Sequence, residues 1–249
     1  MPTTPGDLAD DLAAAVGGAE IFAVYQPQVS LESGSIVAAE ALCRWRHPRL
    51  GDIDPVTMIG VAEQSGVIHA LGRRMLGECL DTLAGWRETG RDWAVAVNVS
   101  PMQFEDESFA DHVAGEFERR ALARGSLVFE LPRDLPPIGD DAVLSRLHLL
   151  RGIGVEFSLA GSGVEAPSPE LLRRLPVAEV KLPGELVRAA ERPAPAWLRE
   201  QVGVAHAHGL RVVAEGIETL THLDTAVELG CDRAQGFLIR QPHEEIAFP

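Results

Sequence analysis

The chain has little positive charge for its size: 22 Lys and Arg stand against 37 Asp and Glu in 249 residues, a formal net charge of −15. That balance excludes broad, phosphate-led binding to DNA or RNA, which needs a basic surface. It leaves room for a small anion held in one locally basic pocket. Cysteine is also scarce. Cys43, Cys79 and Cys231 are odd in number and scattered, with no CxxC spacing, which argues for reduced thiols over a disulfide framework or a zinc site. No stretch approaches the roughly 20 apolar residues of a membrane span. The N-terminal MPTTPGDLADDLAAAVGG lacks a basic leader region and a long apolar core. The expectation is a soluble, cytoplasmic protein without membrane contact. No composition shift marks a domain boundary, and the proline-rich LPRDLPPIGDD and ERPAPAW are loop-sized. Residues 1–249 are therefore expected to form a single domain, with a capping helix segment in 1–20 that centres on Gly6–Val16.

What is present is an alternation. Short runs rich in Val, Ile, Leu and Phe predict strands at Ile21–Gln26, Ile36–Trp45, Trp93–Asn98, Leu127–Leu131, Val155–Leu159, Glu179–Leu182, Arg211–Glu215 and Ala234–Ile239. Helical patterns lie between most of them, at Pro55–Gly66, Ile68–Trp86, Phe109–Arg124, Asp141–Gly152, Pro169–Leu175, Ala196–His208 and Leu220–Leu229. About eight strands alternating with helices in a chain of this length indicate an α/β fold, a (β/α) TIM-like barrel. The connection Ser30–Ser35 is too short for a helical crossover, so the first two strands are expected to pair antiparallel.

Within the second strand, IVAAEALCRW sets Glu40 in an otherwise apolar run. A buried carboxylate needs a cation, a proton or water. Other apolar runs finish on polar residues: Asn98 after WAVAV, Glu130 after LVF, Lys181 after AEV and Glu215 after RVVA. A barrel places its chemistry at the C-terminal mouth of its strands. Three carboxylates, an amide and an amine would converge there, and oxygen ligands of this kind suit hard divalent cations. Arg44, two residues beyond Leu42 on the same face, could hold a phosphate. His206 and His208 are spaced i, i+2 at a helix end, which suits dipole contacts better than metal ligation. The acidic run Glu105–Asp111 reads as a solvated turn and helix start, and Trp45 and Trp93 read as core.

These residues carry a resemblance to the EAL-domain family, barrels that hydrolyse cyclic di-GMP to its linear dinucleotide with two divalent metals. It extends from Tyr25 to Pro242 through YQPQ, EALCRWRHP, PVTMIGVAEQSGVI, VNVS, VAEGIET and GCDRAQGF. The resemblance implies metal-binding roles for Glu40, Asn98, Glu130 and Glu215. It places Lys181 by the attacking water with Gln235 nearby, and gives Gln26, Leu42 and Arg44 contacts to the dinucleotide. Glu218 matches a glutamate that braces the loop after the fifth strand of the helical part.

The chain departs from the family pattern in one place above all. Where members have a strand followed by Asp-Asp-Phe-Gly-Thr-Gly, the aspartates fall on Ala160 and Gly161 and the phenylalanine on Ser162. Glu-Leu-Thr-Glu reads Glu130-Leu131-Pro132, and Lys-Ile-Asp reads Lys181-Leu182-Pro183. A two-metal mechanism needs paired ions clamping the attacking and leaving oxygens. The acids that remain are expected to hold at most one weak Mg²⁺ or Mn²⁺. The expectation is a degenerate cyclic di-GMP phosphodiesterase that acts as a cyclic di-GMP receptor. Its alternatives are a protein-interaction module without nucleotide and, more distantly, an active phosphodiesterase. A protein partner and a homodimer stay open, although the loop through which the family often dimerises is rewritten here.

Overall fold

The computed structural model describes residues 5–132, 141–160, 169–190 and 193–244. In chain order its elements are α1 (Pro5–Ala15), β1 (Ile21–Ser30), β2 (Ile36–His47), β3 (Gly51–Ile53), α2 (Pro55–Ser65), α3 (Ile68–Glu88), β4 (Ala94–Asn98), α4 (Pro101–Glu105), α5 (Glu107–Arg119) and β5 (Leu127–Leu131). They continue with α6 (Asp141–Ile153), β6 (Glu156–Ala160), α7 (Pro169–Arg174), β7 (Glu179–Leu182), α8 (Gly184–Ala189), α9 (Ala196–Ala207), β8 (Arg211–Ala214), α10 (Leu220–Leu229) and β9 (Arg233–Gln235).

The sheet closes on itself in the order β1-β9-β8-β7-β6-β5-β4-β2, with β1 pairing back to β2. All neighbours in this ring are parallel except β1, which runs antiparallel to both β2 and β9. The short connection ahead of β2 is a tight turn with Gly34 at φ +68°, which forces the reversal. β3 lies outside the ring as an antiparallel extension of β2, with Trp45 opposite Ile53.

Local chemistry sets the helix ends. The Asp54 side chain accepts from Thr57 N and Pro55 occupies the first turn, so α2 begins there; Gly66 in the left-handed region ends it. Thr219 and Gly230 frame α10 in the same way. Three elements escaped the sequence pattern: β3, α4 and α8 are too short for any period to show. The run expected as a strand to Ile239 pairs only through Gln235. Gly236 is packed against the Ile217 backbone, and Ile239 N and Arg240 N both turn back to Gly236 O at 3.1 Å. The helix expected to reach Arg124 stops at Arg119, and the turn that follows puts Ala121 at φ +48°.

The larger core lies between the strands and the helical layer, where Phe104, Phe109, Phe129 and Phe157 pack ring to ring. Trp45 is 1% exposed, and Trp93 packs edge-on to Trp86, so both tryptophans belong to the packing. Inside the barrel a smaller cluster of Ala38, Ala94, Ala96 and Val128 fills the lumen. Below it Glu179 accepts from Arg211 Nε at 3.3 Å and Arg233 Nη1 at 3.2 Å, and Arg211 also pairs with Glu156. This ionic plug closes the N-terminal end of the barrel.

Candidate functional site

β-sheet register decides which residues share the mouth. Partners across a ladder project to the same face, so Gln26 sits beside Glu40, Asn98 beside Glu130 and Ala160 beside Lys181. Glu215 follows β8 directly, with its N–H bonded to Leu182 O at 3.0 Å.

The side chains converge on one ammonium group. Lys181 Nζ lies 2.5 Å from Glu130 Oε1, 2.9 Å from Glu40 Oε2 and 3.3 Å from Glu215 Oε1. Its side chain is 2% exposed. Asn98 donates to Glu40 Oε1 at 2.8 Å, and Gln235 Nε2 donates to Glu40 Oε2 at 2.6 Å and to Gln26 Oε1 at 3.0 Å. Glu40 thus meets a cation supplied by the chain itself, supported by two amides.

The electrostatics follow from this crowding. Burial pushes the Glu40 carboxyl up, but the Lys181 charge and the hydrogen bonds from Lys181, Gln235 and Asn98 outweigh it and hold Glu40 below its ordinary value. Glu130 goes the other way. Burial and the nearby Glu40 charge lift its carboxyl well above the carboxylate range, and Lys181 offsets this only in part. Burial disfavours the Lys181 ammonium, yet Glu130, Glu40 and Glu215 together keep it firmly protonated.

The donor set fits a divalent ion poorly in this arrangement. The position between the three carboxylates is taken by Lys181 Nζ, and Asn98 turns its amide N–H to Glu40. On the neighbouring strand Ala160 brings no ligating atom to the mouth; Gly161 and Ser162 lie outside the described residues. Among the described residues no group of three or more His, Cys, Asp or Glu is placed to hold a metal. His206 pairs with Asp232 at 3.0 Å, and His208 bonds Val204 O at the end of α9, so neither approaches the mouth.

Leu42 and Arg44 reach the wall of a cavity of about 550 Å³ that opens beside the acids and runs between β2, β4, α2 and α3. The Arg44 guanidinium donates to Cys43 O at 2.9 Å. Glu218 stands apart from the acid ring, 3.8 Å from Arg188 Nη1 on α8; the loop it was expected to brace lies outside the described residues. Sequence reasoning missed Gln28, whose Nε2 donates to Gln235 Oε1 at 2.9 Å. The signal was present, because Gln26 and Gln28 alternate on one face of β1. Ser158, fully buried beside Glu130 in the register, gave no such signal.

Comparison with known proteins bears on this site. The family model described as "EAL domain" matches residues 9–242. The chain is 32% identical over 238 residues to the bifunctional diguanylate cyclase/cyclic di-GMP phosphodiesterase MucR of Pseudomonas aeruginosa, covering 94% of this chain and 35% of that protein. It is 32% identical to the cyclic di-GMP phosphodiesterase PA2567 of the same organism, covering 94% of this chain and 40% of that one. The chain therefore spans less than half the length of these two relatives. The solved PaMucR phosphodiesterase, in complex with c-di-GMP, superposes with a TM-score of 0.86 at 32% identity over 95% of this chain and 97% of that one.

Proposed function

The chain belongs to the EAL-domain family, and from that premise we propose that it binds cyclic di-GMP at the barrel mouth as a receptor and does not hydrolyse it. The observation that carries this reading is the Lys181 ammonium held among Glu40, Glu130 and Glu215, with Ala160 beside it in the register. Hydrolysis by two metals needs shared ligands and open coordination positions. Here Lys181 Nζ occupies the position between the acids and the neighbouring strand contributes a methyl group. At most one Mg²⁺ or Mn²⁺ would be held, weakly, by Glu40, Asn98, Glu130 and Glu215, and only with Lys181 displaced. Such an ion would supply Lewis-acid polarisation of a phosphoryl oxygen.

Binding asks less than hydrolysis. Arg44 contributes a planar guanidinium for one phosphate. Gln26 and Gln235 add hydrogen-bonding amides at the mouth, fixed by Gln28 and by Gln26 Nε2 donating to Arg240 O at 3.2 Å.

Calorimetric titration with cyclic di-GMP, with and without Mg²⁺, tests the reading. Binding is expected in both conditions with nearly equal affinity, and no linear dinucleotide should accumulate. Arg44→Ala should weaken binding well over tenfold, since losing a desolvated charged contact costs about 2–5 kcal/mol. Steady production of linear dinucleotide that Glu40→Ala abolishes would overturn the inactive reading. The absence of any heat or melting shift at high cyclic di-GMP would overturn the receptor reading and favour a protein-interaction module.

A further inference from the structure

We infer that Glu63 is a specificity-determining residue that reads the hydrogen-bond-donor edge of a guanine base seated in the cavity beside the mouth. The inference rests on the receptor reading above and deepens it. The cavity, about 550 Å³, falls within the usual range for small-molecule sites. Its walls are apolar, built from Met58, Ile59, Leu71, Met75 and Val97. Three ionisable residues line it: Glu130, shared with the acid cluster of the mouth, and beyond it Arg44 and Glu63, of opposite sign.

Glu63 comes from α2 and is held by α4. Ser100, the residue before α4, donates its hydroxyl to Glu63 Oε1 at 2.7 Å, while its own N–H donates to Gln103 Oε1 at 3.1 Å. The carboxylate is thereby oriented, and Oε2 has no hydrogen-bond or ion-pair partner among the described residues. A structural role as a helix-to-helix tie needs only one of the two oxygens. The other is available to a ligand.

The chemistry of that ligand follows from the acceptor. An ionised carboxylate only accepts, so it selects a flat apolar group with adjacent donors. Guanine presents N1–H and N2–H side by side, and its faces suit thioether and aliphatic walls. Adenine presents the N1 lone pair at the same place, which a carboxylate repels. A phosphate diester on Arg44 with a base on Glu63 satisfies both charges in one molecule, and discrimination comes from the unpaired polar group that the wrong base would leave.

The test is a titration of wild-type protein and Glu63→Gln with cyclic di-GMP, cyclic di-AMP and cyclic di-IMP, the last lacking the N2 amine. Wild type should prefer cyclic di-GMP over both analogues. Glu63→Gln, nearly the same shape, should lose at least about tenfold for cyclic di-GMP and distinguish the three ligands poorly. Ser100→Ala, which keeps the carboxylate but removes the bond that orients it, should weaken the preference without abolishing it. Equal affinity of wild type for cyclic di-GMP and cyclic di-IMP would overturn the inference without recourse to any variant. So would a Glu63→Gln protein that keeps full selectivity, or one that weakens for all three ligands alike. In each of these cases the receptor reading survives. Failure of wild type to bind any of the three removes the receptor reading itself.

Discussion

Replacing Lys181 by methionine keeps the bulk of the side chain and removes the charge that three carboxylates share. In the intact site the ammonium lies within 3.3 Å of Glu40, Glu130 and Glu215 and is almost wholly buried. Taking one partner from a buried ion pair costs about 3–5 kcal/mol, because the charges left behind stay desolvated. For a domain of this size each kcal/mol moves Tm by roughly 2–4 °C, so Lys181→Met should melt about 6–20 °C lower at pH 8. The pH dependence has a fixed sign. Glu40 has its carboxyl held below the ordinary 4.5 by Lys181 despite burial. It therefore contributes stability that is present above that value and lost as pH falls through its folded pKa. The variant forfeits this contribution, so its deficit should be full at pH 8 and shrink as pH falls toward 4.5 and below. Without the ammonium, the three acids become a better site for a hard cation. Added Mg²⁺ should raise the Tm of the variant more than that of the wild type by mass action. Scanning fluorimetry across pH, with and without Mg²⁺, checks all three points. A variant melting within about 2 °C of wild type at pH 8, or an identical response to Mg²⁺ in the two proteins, would refute the reasoning.

The two buried glutamates should respond with opposite signs. Glu40→Gln should destabilise at neutral pH by about 1.5–3 kcal/mol, the worth of charge-assisted hydrogen bonds. Glu130, with its carboxyl raised mainly by burial, loses its stabilising contribution as pH rises; the Tm of Glu130→Gln relative to wild type should therefore climb with pH, and a falling difference would contradict the assignment. Gly236→Ala would place a methyl carbon 2.2 Å from Ile217 N and O. The backbone must shift, costing at least about 1–3 kcal/mol, and cyclic di-GMP affinity should drop with it because Gln235 is the preceding residue. Phe104→Ala, in the aromatic cluster between barrel wall and helices, should cost about 3–5 kcal/mol by denaturant titration and leave ligand affinity nearly intact.

The sequence alone determined the barrel and the membership of its mouth. Periodicity is a local property: a strand such as WAVAVN declares its length and its last polar residue without reference to any other strand. Parallel strands all end at one rim, so Glu40, Asn98, Glu130, Lys181 and Glu215 could be assigned to a common site from their places in their own runs. The turn before β2 likewise announced an antiparallel pair by its length. Closure and register decided the rest. Spacing along the chain says which face a side chain takes, but the stagger of strands around a closed barrel sets who meets whom. That stagger puts the Lys181 ammonium between two acids on β2 and β5 and a third just past β8 and joins Gln28 to Gln235. It also places Ala160 where a neighbour of Lys181 must stand. The tie between Glu63 and Ser100 belongs to the same class. It links α2 to the turn before the five-residue α4, an element too short to write a period into the sequence, and it exists only because packing the helical layer on the barrel brings those two ends together.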